Sequence, residues 1–386
     1  WLIPNVKMPV GSVDMWQPEA ITFLSIYLNP LFLAALILML GSLYWLMLAQ
    51  RTGRARHAVC AGLSMFLLGN IHTYDVITLA CVWTAYLFAI WITERRSPTR
   101  AILLTILAAA IACPTIAYQF YLYSIDDVFR ARANSPTLSP AIWSFFEGYG
   151  IILIGAFIGV VYSQLRTRNS ALAPNPKLLL LVWSVVGFVV PYIPVGQQRK
   201  LVMGLHIPLC ILCAYGLSRL LARVPRSVAR GIILATILFS MGSNVGFLSH
   251  DINLLRMGGT APNFPAFIST SELGAMRYLR ERSGPTDTIF APPAFSLFTP
   301  GLIGRRVYYG HWSETPDYGE KIRTWSALAD QDASTGYWSS VFAESRAAYY
   351  VSELRATDPP RAPGFPRQCY SNGSVKIFRI CPSKAR

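Results

Sequence analysis

The sequence predicts a polytopic α-helical membrane protein of about eight spans followed by a C-terminal extracytoplasmic α/β domain. Three observations predict it. Of the 386 residues, 53% are hydrophobic and only 14% charged, with a mean hydropathy of +0.40; soluble chains carry roughly a quarter charged residues. The depletion is uneven. Between Pro30 and Ser249 the acidic residues are Asp75, Glu94, Asp126, Asp127 and Glu147, whereas the chain beyond Asp251 has an ordinary soluble composition. Finally, the basic residues concentrate in alternate loops between apolar runs. The expected domains are an outer loop over 1–28, a transmembrane helical domain over 29–249 and a soluble domain over 250–386.

Crossing a hydrocarbon core of ~30 Å takes about 20 apolar residues. The runs that read as spans are 30–50, 57–71, 74–93, 101–122, 148–165, 177–195, 201–221 and 229–248. The run 57–71 is short and ends in the polar turn Asn70-Ile71-His72-Thr73, so it reads either as a span or as a re-entrant half-helix. One set of loops holds Arg51, Arg54 and Arg56, then Arg95, Arg96 and Arg100. Further along, the same set holds Arg166, Arg168 and Lys177, then Arg219, Arg223, Arg226 and Arg230. The positive-inside rule makes that set cytoplasmic. Residues 1–28, the turn at His72, the loop 123–147, Gly196–Lys200 and everything after Ser249 then lie outside. The net charge of +15 follows from this topology. No basic stripe with interleaved aromatics marks a nucleic-acid surface, so nucleic acid is not an expected partner. The opening at Trp1, without an initiator Met, reads as a fragment lacking its N-terminal part.

In 250–386, helix and strand signals alternate. Ser271–Arg282, Asp317–Leu328 and Tyr337–Arg346 read as helices; Asp287–Ala291, Arg305–Gly310 and Ala347–Ser352 read as strands. Val375–Ile380 closes the pattern in a hairpin, giving a small α/β domain with a largely parallel sheet. No glycine-rich phosphate loop follows its strands. Cys60, Cys81, Cys113, Cys210 and Cys213 fall in spans and read as small apolar packing residues. Cys369 and Cys381 lie outside, where oxidation is permitted. A two-residue turn at Asn372-Gly373 would set Cys369 opposite Lys376.

Ionisable residues at membrane depth are costly, so they are the candidates for function. They collect on the outer side: His72, Tyr74 and Asp75 at one turn, and Asp126, Asp127, Arg130 and Arg132 after the fourth run. Gln197, Gln198, Arg199 and Lys200 occupy a short loop, with His206 just beyond. Arg199 and Lys200 read either as snorkelling residues or as a clamp for a lipid phosphate, Arg offering a fork and Lys a point charge. Asp126 and Asp127 read as a helix cap or as functional carboxylates. His72 and Asp75, three apart, share a helical face. His206 reads as a packed or backbone-bonded histidine. Gly310–Thr315, with His311 and Trp312, is a polar aromatic loop after a strand. There is no His-x-x-x-His or Gly-x-Ser-x-Gly, and the spacing Cys210-Ile211-Leu212-Cys213 lies inside an apolar run where its cysteines read as packing residues, so no metal site is expected and no cofactor is required by the sequence.

Three segments carry a resemblance: GNIHTYDVI (Gly69–Ile77), GQQRKLVMGLHIPL (Gly196–Leu209) and YYGHWSETPDY (Tyr308–Tyr318). Together with the plan of many spans and then an outer domain, they resemble polytopic glycosyltransferases of the GT-C superfamily, of the bacterial protein-mannosyltransferase type. The resemblance implies transfer of a sugar from a polyprenyl-phosphate donor to an acceptor at the outer face of a bacterial inner membrane. It implies a bilayer and a polyprenyl-phosphate sugar as partners. Arg199, Lys200 and Arg130 would hold the lipid phosphate, Asp75 and Asp126 would be the catalytic carboxylates, and His72, Tyr74, Gln198 and His311 would face the substrate. The family's catalytic acid lies in the first outer loop; Asp14 lies in an outer loop, but 1–28 reads as a later loop of a longer protein. The rival classes are a transporter or lipid flippase, for which acids at span ends without an internal repeat argue poorly, and a non-catalytic assembly protein with an outer binding domain.

Overall fold

The computed structural model describes residues 11–95, 97–127, 129–130, 136–164, 175–256, 260–261, 264–265, 267–311, 315–329, 334–353 and 366–380. The chain divides into two compact units, one ending at Leu248 and the other beginning at Ser249.

In the first unit two 3₁₀ turns, Val13–Met15 and Pro18–Ala20, lead into α1 (Thr22–Leu28). The bundle follows as α2 (Pro30–Thr52), α3 (Ala55–Ile71), α4 (Tyr74–Glu94), α5 (Thr99–Ile125) and α6 (Ile142–Gln164). It closes with α7 (Pro176–Val189), α8 (His206–Leu220), α9 (Arg226–Ser240) and the start of α10 (Gly242–Arg256), whose residues from Ser249 on belong to the second unit. Local chemistry sets these limits. Asn29 accepts from the Leu31 N–H and Pro30 supplies the first helical residue of α2; Asn175 and Pro176 repeat the device at α7.

Among the described residues, five stretches are long and apolar enough to cross a membrane: Pro30–Thr52, Tyr74–Glu94, Thr99–Ile125, Ile142–Tyr162 and Gln198–Arg223. The pair α9 and α10, bent by 46°, makes a sixth if it is one span. The 17 residues of α3 and the apolar helix Pro176–Tyr192 are shorter than the others. The protein is thus a helical membrane-like chain with five or six candidate spans, fewer than the eight runs read from hydropathy. Hydropathy counts apolar residues, whereas a helix ends where its backbone turns.

Helices approach closely where side chains are smallest. A Cβ on Gly155 or Gly159 of α6 would lie 2.3 Å from Cys213 Sγ or 2.0 Å from the Leu212 carbonyl oxygen of α8, and one on Gly216 would meet the Gly155 carbonyl at 2.5 Å. The pair α3 and α5 repeats this at Gly62 and Gly69, against Ala108, Ile111 and Thr115. Small residues at helix contacts are how helices associate where lipid tails remove the hydrophobic drive.

The bundle has two ends. At one, Arg100 donates to the Gly53 carbonyl, and the Tyr86 hydroxyl joins Gln50 to the Asn175 N–H. At the other, the Thr137 N–H donates to the Gly196 carbonyl, the Arg199 N–H donates to the Thr137 carbonyl, and Thr78 donates to the Leu201 carbonyl. The segment Val13–Ala20, expected within an outer loop, packs into this second end: Val13, Gln17, Glu19 and Ala20 are all buried.

The second unit carries a five-stranded sheet of β3 (Thr288–Phe290), β4 (Arg306–Val307), β5 (Ala347–Glu353), β6 (Arg367–Ser371) and β7 (Val375–Arg379), after a small ladder of β1 (Thr260–Ala261) and β2 (Phe264–Pro265). The order is β4-β3-β5-β7-β6, with β4, β3 and β5 parallel and β7 and β6 antiparallel. The sheet is therefore mixed, not largely parallel, because the terminal hairpin adds two antiparallel pairings, β7 on β5 and β6 on β7, to a three-stranded parallel core. Four helices accompany it: α11 (Thr270–Arg282), α12 (Pro293–Ile303), α13 (Tyr318–Ala329) and α14 (Thr335–Ser345). Ser269 and Glu272 form a capping box on α11. No element was expected over α12, where Pro293 starts the helix and Pro300 lies within it. Arg305 does not extend β4; its guanidinium donates to Ser283 Oγ and to the Arg280 and Ser283 carbonyls.

The hairpin turn sits one residue later than expected. Ser371 pairs with Lys376, so Gly373 and Ser374 are the turn residues, and a register shift follows between Gln368 and Tyr370. Cys369 falls at that irregularity, its thiol against the Ile377 carbonyl at 3.4 Å, and not opposite Lys376. Cys381, and with it a bridge to Cys369, lies outside the described residues.

Candidate functional site

Four cationic and acidic side chains from three separate segments meet at the second end of the bundle. Glu19 comes from the turn before α1, Asp75 from the first turn of α4, and Arg199 and Lys200 from the 3₁₀ turn Gln198–Val202. The two carboxylates are the buried members, Glu19 at 3% exposure and Asp75 at 0%. The guanidinium of Arg199 stands 3.8 Å from Glu19 Oε1, too far for a hydrogen bond, and lies 5.6 Å from the Trp16 ring centre. The Lys200 ammonium lies 4.3 Å over the ring of Tyr74. Asp75 Oδ2 is 3.0 Å from His72 Nδ1, without the alignment of a good hydrogen bond, and Glu19 and Lys200 both act on its charge.

This part of the backbone is tied down. Gln17 donates to the Arg199 carbonyl at 3.0 Å, and Gln198 accepts from the Ser139 N–H and donates to the Ile193 carbonyl. The turn carrying both cations is therefore held from two sides, by the first segment and by the loop ahead of α6. Several acceptors are left over. Glu19 Oε2, Gln17 Oε1 and Asp75 Oδ1 are buried without a hydrogen-bond partner among the described residues, which costs free energy unless a ligand or solvent supplies donors.

The structure brings together His72, Tyr74, Asp75, Arg199 and Lys200 of the residues singled out in the sequence, with Gln198 on the same turn as the two cations. The contacts described for Asp126, Asp127 and Arg130 are local to the end of α5: Asp126 Oδ1 accepts from the Phe129 N–H, and Arg130 pairs with Asp127 at 3.0 Å on an exposed surface. That is the helix-end arrangement weighed as their alternative. His311 belongs to the second unit, where its carbonyl accepts from the Thr315 N–H; Trp312 and Arg132 lie outside the described residues. His206 is backbone-bonded: its Nδ1 accepts from the Thr22 N–H at 3.4 Å, and its ring stacks on Tyr149. Among the described residues no group of three or more metal-ligating side chains comes together.

Glu19, Gln17 and Trp16 were missed. The signal that could have found Glu19 was an acid next to Pro18 one turn ahead of a long apolar run, a place where a charge needs a partner.

No known protein-family model matches the chain, and no curated protein matches it. One solved structure it matches is the archaeal oligosaccharyltransferase AglB from Archaeoglobus fulgidus, in complex with an inhibitory peptide and a dolichol-phosphate, at 13% sequence identity and a TM-score of 0.41. The match covers 89% of this chain and 52% of that one, so the chain spans about half the length of the structure it resembles.

Proposed function

We propose that the chain is part of a membrane glycosyltransferase of the GT-C type, moving a sugar from a polyprenyl-phosphate donor to an acceptor at the outer face of the plasma membrane. The Arg-rich loops then face the cytoplasm, and the second unit is extracytoplasmic. The observation that carries the reading is the meeting of Arg199 and Lys200 with the buried carboxylates Asp75 and Glu19 at one end of the bundle. In the reaction, the acceptor's nucleophilic atom bonds to the anomeric carbon as the bond from that carbon to the phosphate oxygen breaks. The bonding pair leaves with the polyprenyl phosphate, and the acceptor's proton passes to a carboxylate. Of the two carboxylates in the cluster, Asp75 beside His72 takes that proton and Glu19 faces Arg199, while Asp126 is the second candidate at the end of α5. Arg199 and Lys200 take the phosphate charge, with the prenyl tail in the bilayer, and His72, Tyr74 and Gln198 border the sugar.

The charges also make a specific demand. With Asp75 and Glu19 ionised, the two cations are already balanced, so an incoming phosphate competes with Glu19 for Arg199. In the chain embedded in lipid nanodiscs, Arg199→Ala should weaken binding of a polyprenyl phosphate by roughly ten- to a hundredfold, the equivalent of losing a charge-assisted contact of about 1.5–3 kcal/mol. Glu19→Gln should strengthen it severalfold, and Arg95→Ala, at the other end, should change it little. Equal losses at Arg95 and Arg199 would remove the donor site from this cluster.

A further inference from the structure

A second polar feature lies in the same unit and is not part of the cation cluster. A cavity of about 120 Å³ opens between the turn Val13–Met15, the middle of α6, the start of α8 and the junction of α9 with α10. Its polar lining is Asp14, Glu147, His206, Ser240, Ser243 and Asn244, and no Lys or Arg lines it among the described residues. Its sign is thus opposite to that of the Arg199 and Lys200 turn. Asp14 hydrogen-bonds Ser243, yet Asp14 Oδ1 and Asn244 Oδ1 are both buried without a hydrogen-bond partner among the described residues.

Two helices are broken where they meet this cavity. Inside the candidate span Ile142–Tyr162, Gly150 takes φ 41° and ψ −119°, outside the helical range and open chiefly to glycine. The bent pair α9 and α10 turns by 46° beside Ser240 and Ser243. A break frees backbone groups from their i→i−4 partners, and at membrane depth this is tolerated only where the freed groups line a cavity or pack on protein. The two breaks flank one space whose side-chain lining is rich in oxygen acceptors and, among the described residues, holds no Lys or Arg. That is the chemistry by which discontinuous membrane helices hold small cations.

We propose that this cavity binds a small monovalent cation, either a bare ion or the ammonium group of a small amine, with Asp14 as its charged ligand and Ser243 and Asn244 as neutral ones. The volume is ample for an ion with part of its hydration shell or for an amine of a few heavy atoms. Burial holds the Asp14 carboxyl above the usual carboxylate range, with the Ser243 hydrogen bond opposing it; a bound cation would offset that burial. The inference stands apart from the donor reading, because none of its lining side chains belongs to the cation cluster.

The test uses the whole chain in nanodiscs of zwitterionic lipid, at constant ionic strength held with N-methylglucamine chloride, a bulky polyhydroxylated cation. Thermal unfolding is followed while sodium, potassium, ammonium or ethanolammonium chloride replaces it. The expected result is saturable stabilisation whose half-point rises tenfold or more in Asp14→Asn and severalfold in Ser243→Ala, and is unchanged in Asp75→Asn and Arg199→Ala. A response to sodium or potassium alone identifies a bare ion, and a response to ammonium and ethanolammonium alone identifies an amine head. If Asp14→Asn does not fold, Ser243→Ala and Asn244→Leu carry the test. No saturable effect of any small cation, or the same half-point in wild type and the cavity variants, overturns the proposal, as does a loss produced equally by Asp75→Asn.

Discussion

The two units of this chain pack with a different balance: both bury rings, Tyr86, Phe145 and Tyr149 in the first among them, but their closest contacts are made differently. In the first, the tightest contacts are made by residues with almost no side chain: Gly155 and Gly159 lie against α8, and Gly62 and Gly69 against α5. Large apolar side chains such as Phe157 and Leu103 are turned outward, at 68% and 62% exposure. In the second unit the largest rings are innermost. Phe290, Tyr309, Trp325, Trp338 and Tyr350 form one cluster on the sheet, with ring centres 5.3–6.4 Å apart, and Phe378 joins them. Where water surrounds a fold, burying rings stabilises it; where lipid does, a ring gains little by turning inward and close backbone packing decides. The difference teaches that exposed apolar surface means something different in each unit: in the first it is the face offered to lipid.

The sharpest break of this contrast is expected in the second unit. Phe290→Ala empties a fully buried site and should cost about 3–5 kcal/mol, whereas Phe157→Ala on α6 should change stability by well under 1 kcal/mol. Denaturation in detergent micelles, read by hydrogen exchange in each unit separately, checks the pair, and similar costs would mean that α6 does not face lipid. A smaller effect should come from Gly159→Ala, whose new Cβ meets the backbone carbonyl of Leu212, an atom that cannot rotate away; about 1–3 kcal/mol is expected. Its control is Gly231→Ala on α9, where nothing lies within 4 Å; there the helix should be unchanged or slightly stabilised, by up to about 1 kcal/mol.

The smallest effect concerns charge in the second unit. Burial, with the Glu272 charge added, pushes the Glu353 carboxyl up from 4.5 to about 7. A raised folded value means the folded chain holds the proton more tightly than the unfolded chain. The contribution is therefore fully present below pH 4.5 and is lost as pH rises through about 7. Protection of the β5 amides should fall across that window by on the order of 1 kcal/mol, allowing for solvent screening at a partly exposed group. Glu353→Gln should flatten the fall, and an unchanged slope in that variant would place the titrating group elsewhere.

How far the sequence reached differs between these regions for physical reasons. The apolar runs announced helices because crossing lipid demands a long uninterrupted apolar stretch. All eight runs fall on helices, and five or six of them are long and apolar enough to be candidate spans, because α3 and Pro176–Tyr192 are apolar but short. In the second unit alternating signals found β5, β7 and the helix over Thr270–Arg282, yet the sheet was read as too parallel, since strand direction is set by how the chain returns and not by the strand's own residues.

At the candidate site the sequence by itself determined that His72, Asp75, Arg199 and Lys200 are charges or titratable groups at the edges of apolar runs, because an isolated charge there is costly and stands out from its neighbours. It could not show that Asp126 and Arg130 spend their described contacts on their own helix end while Glu19, more than fifty residues before Asp75, completes the cluster. That was decided only by tertiary structure. Burial and pairing depend on which segments the helices carry to one end of the bundle, and a single strand of sequence records each partner without recording their distance.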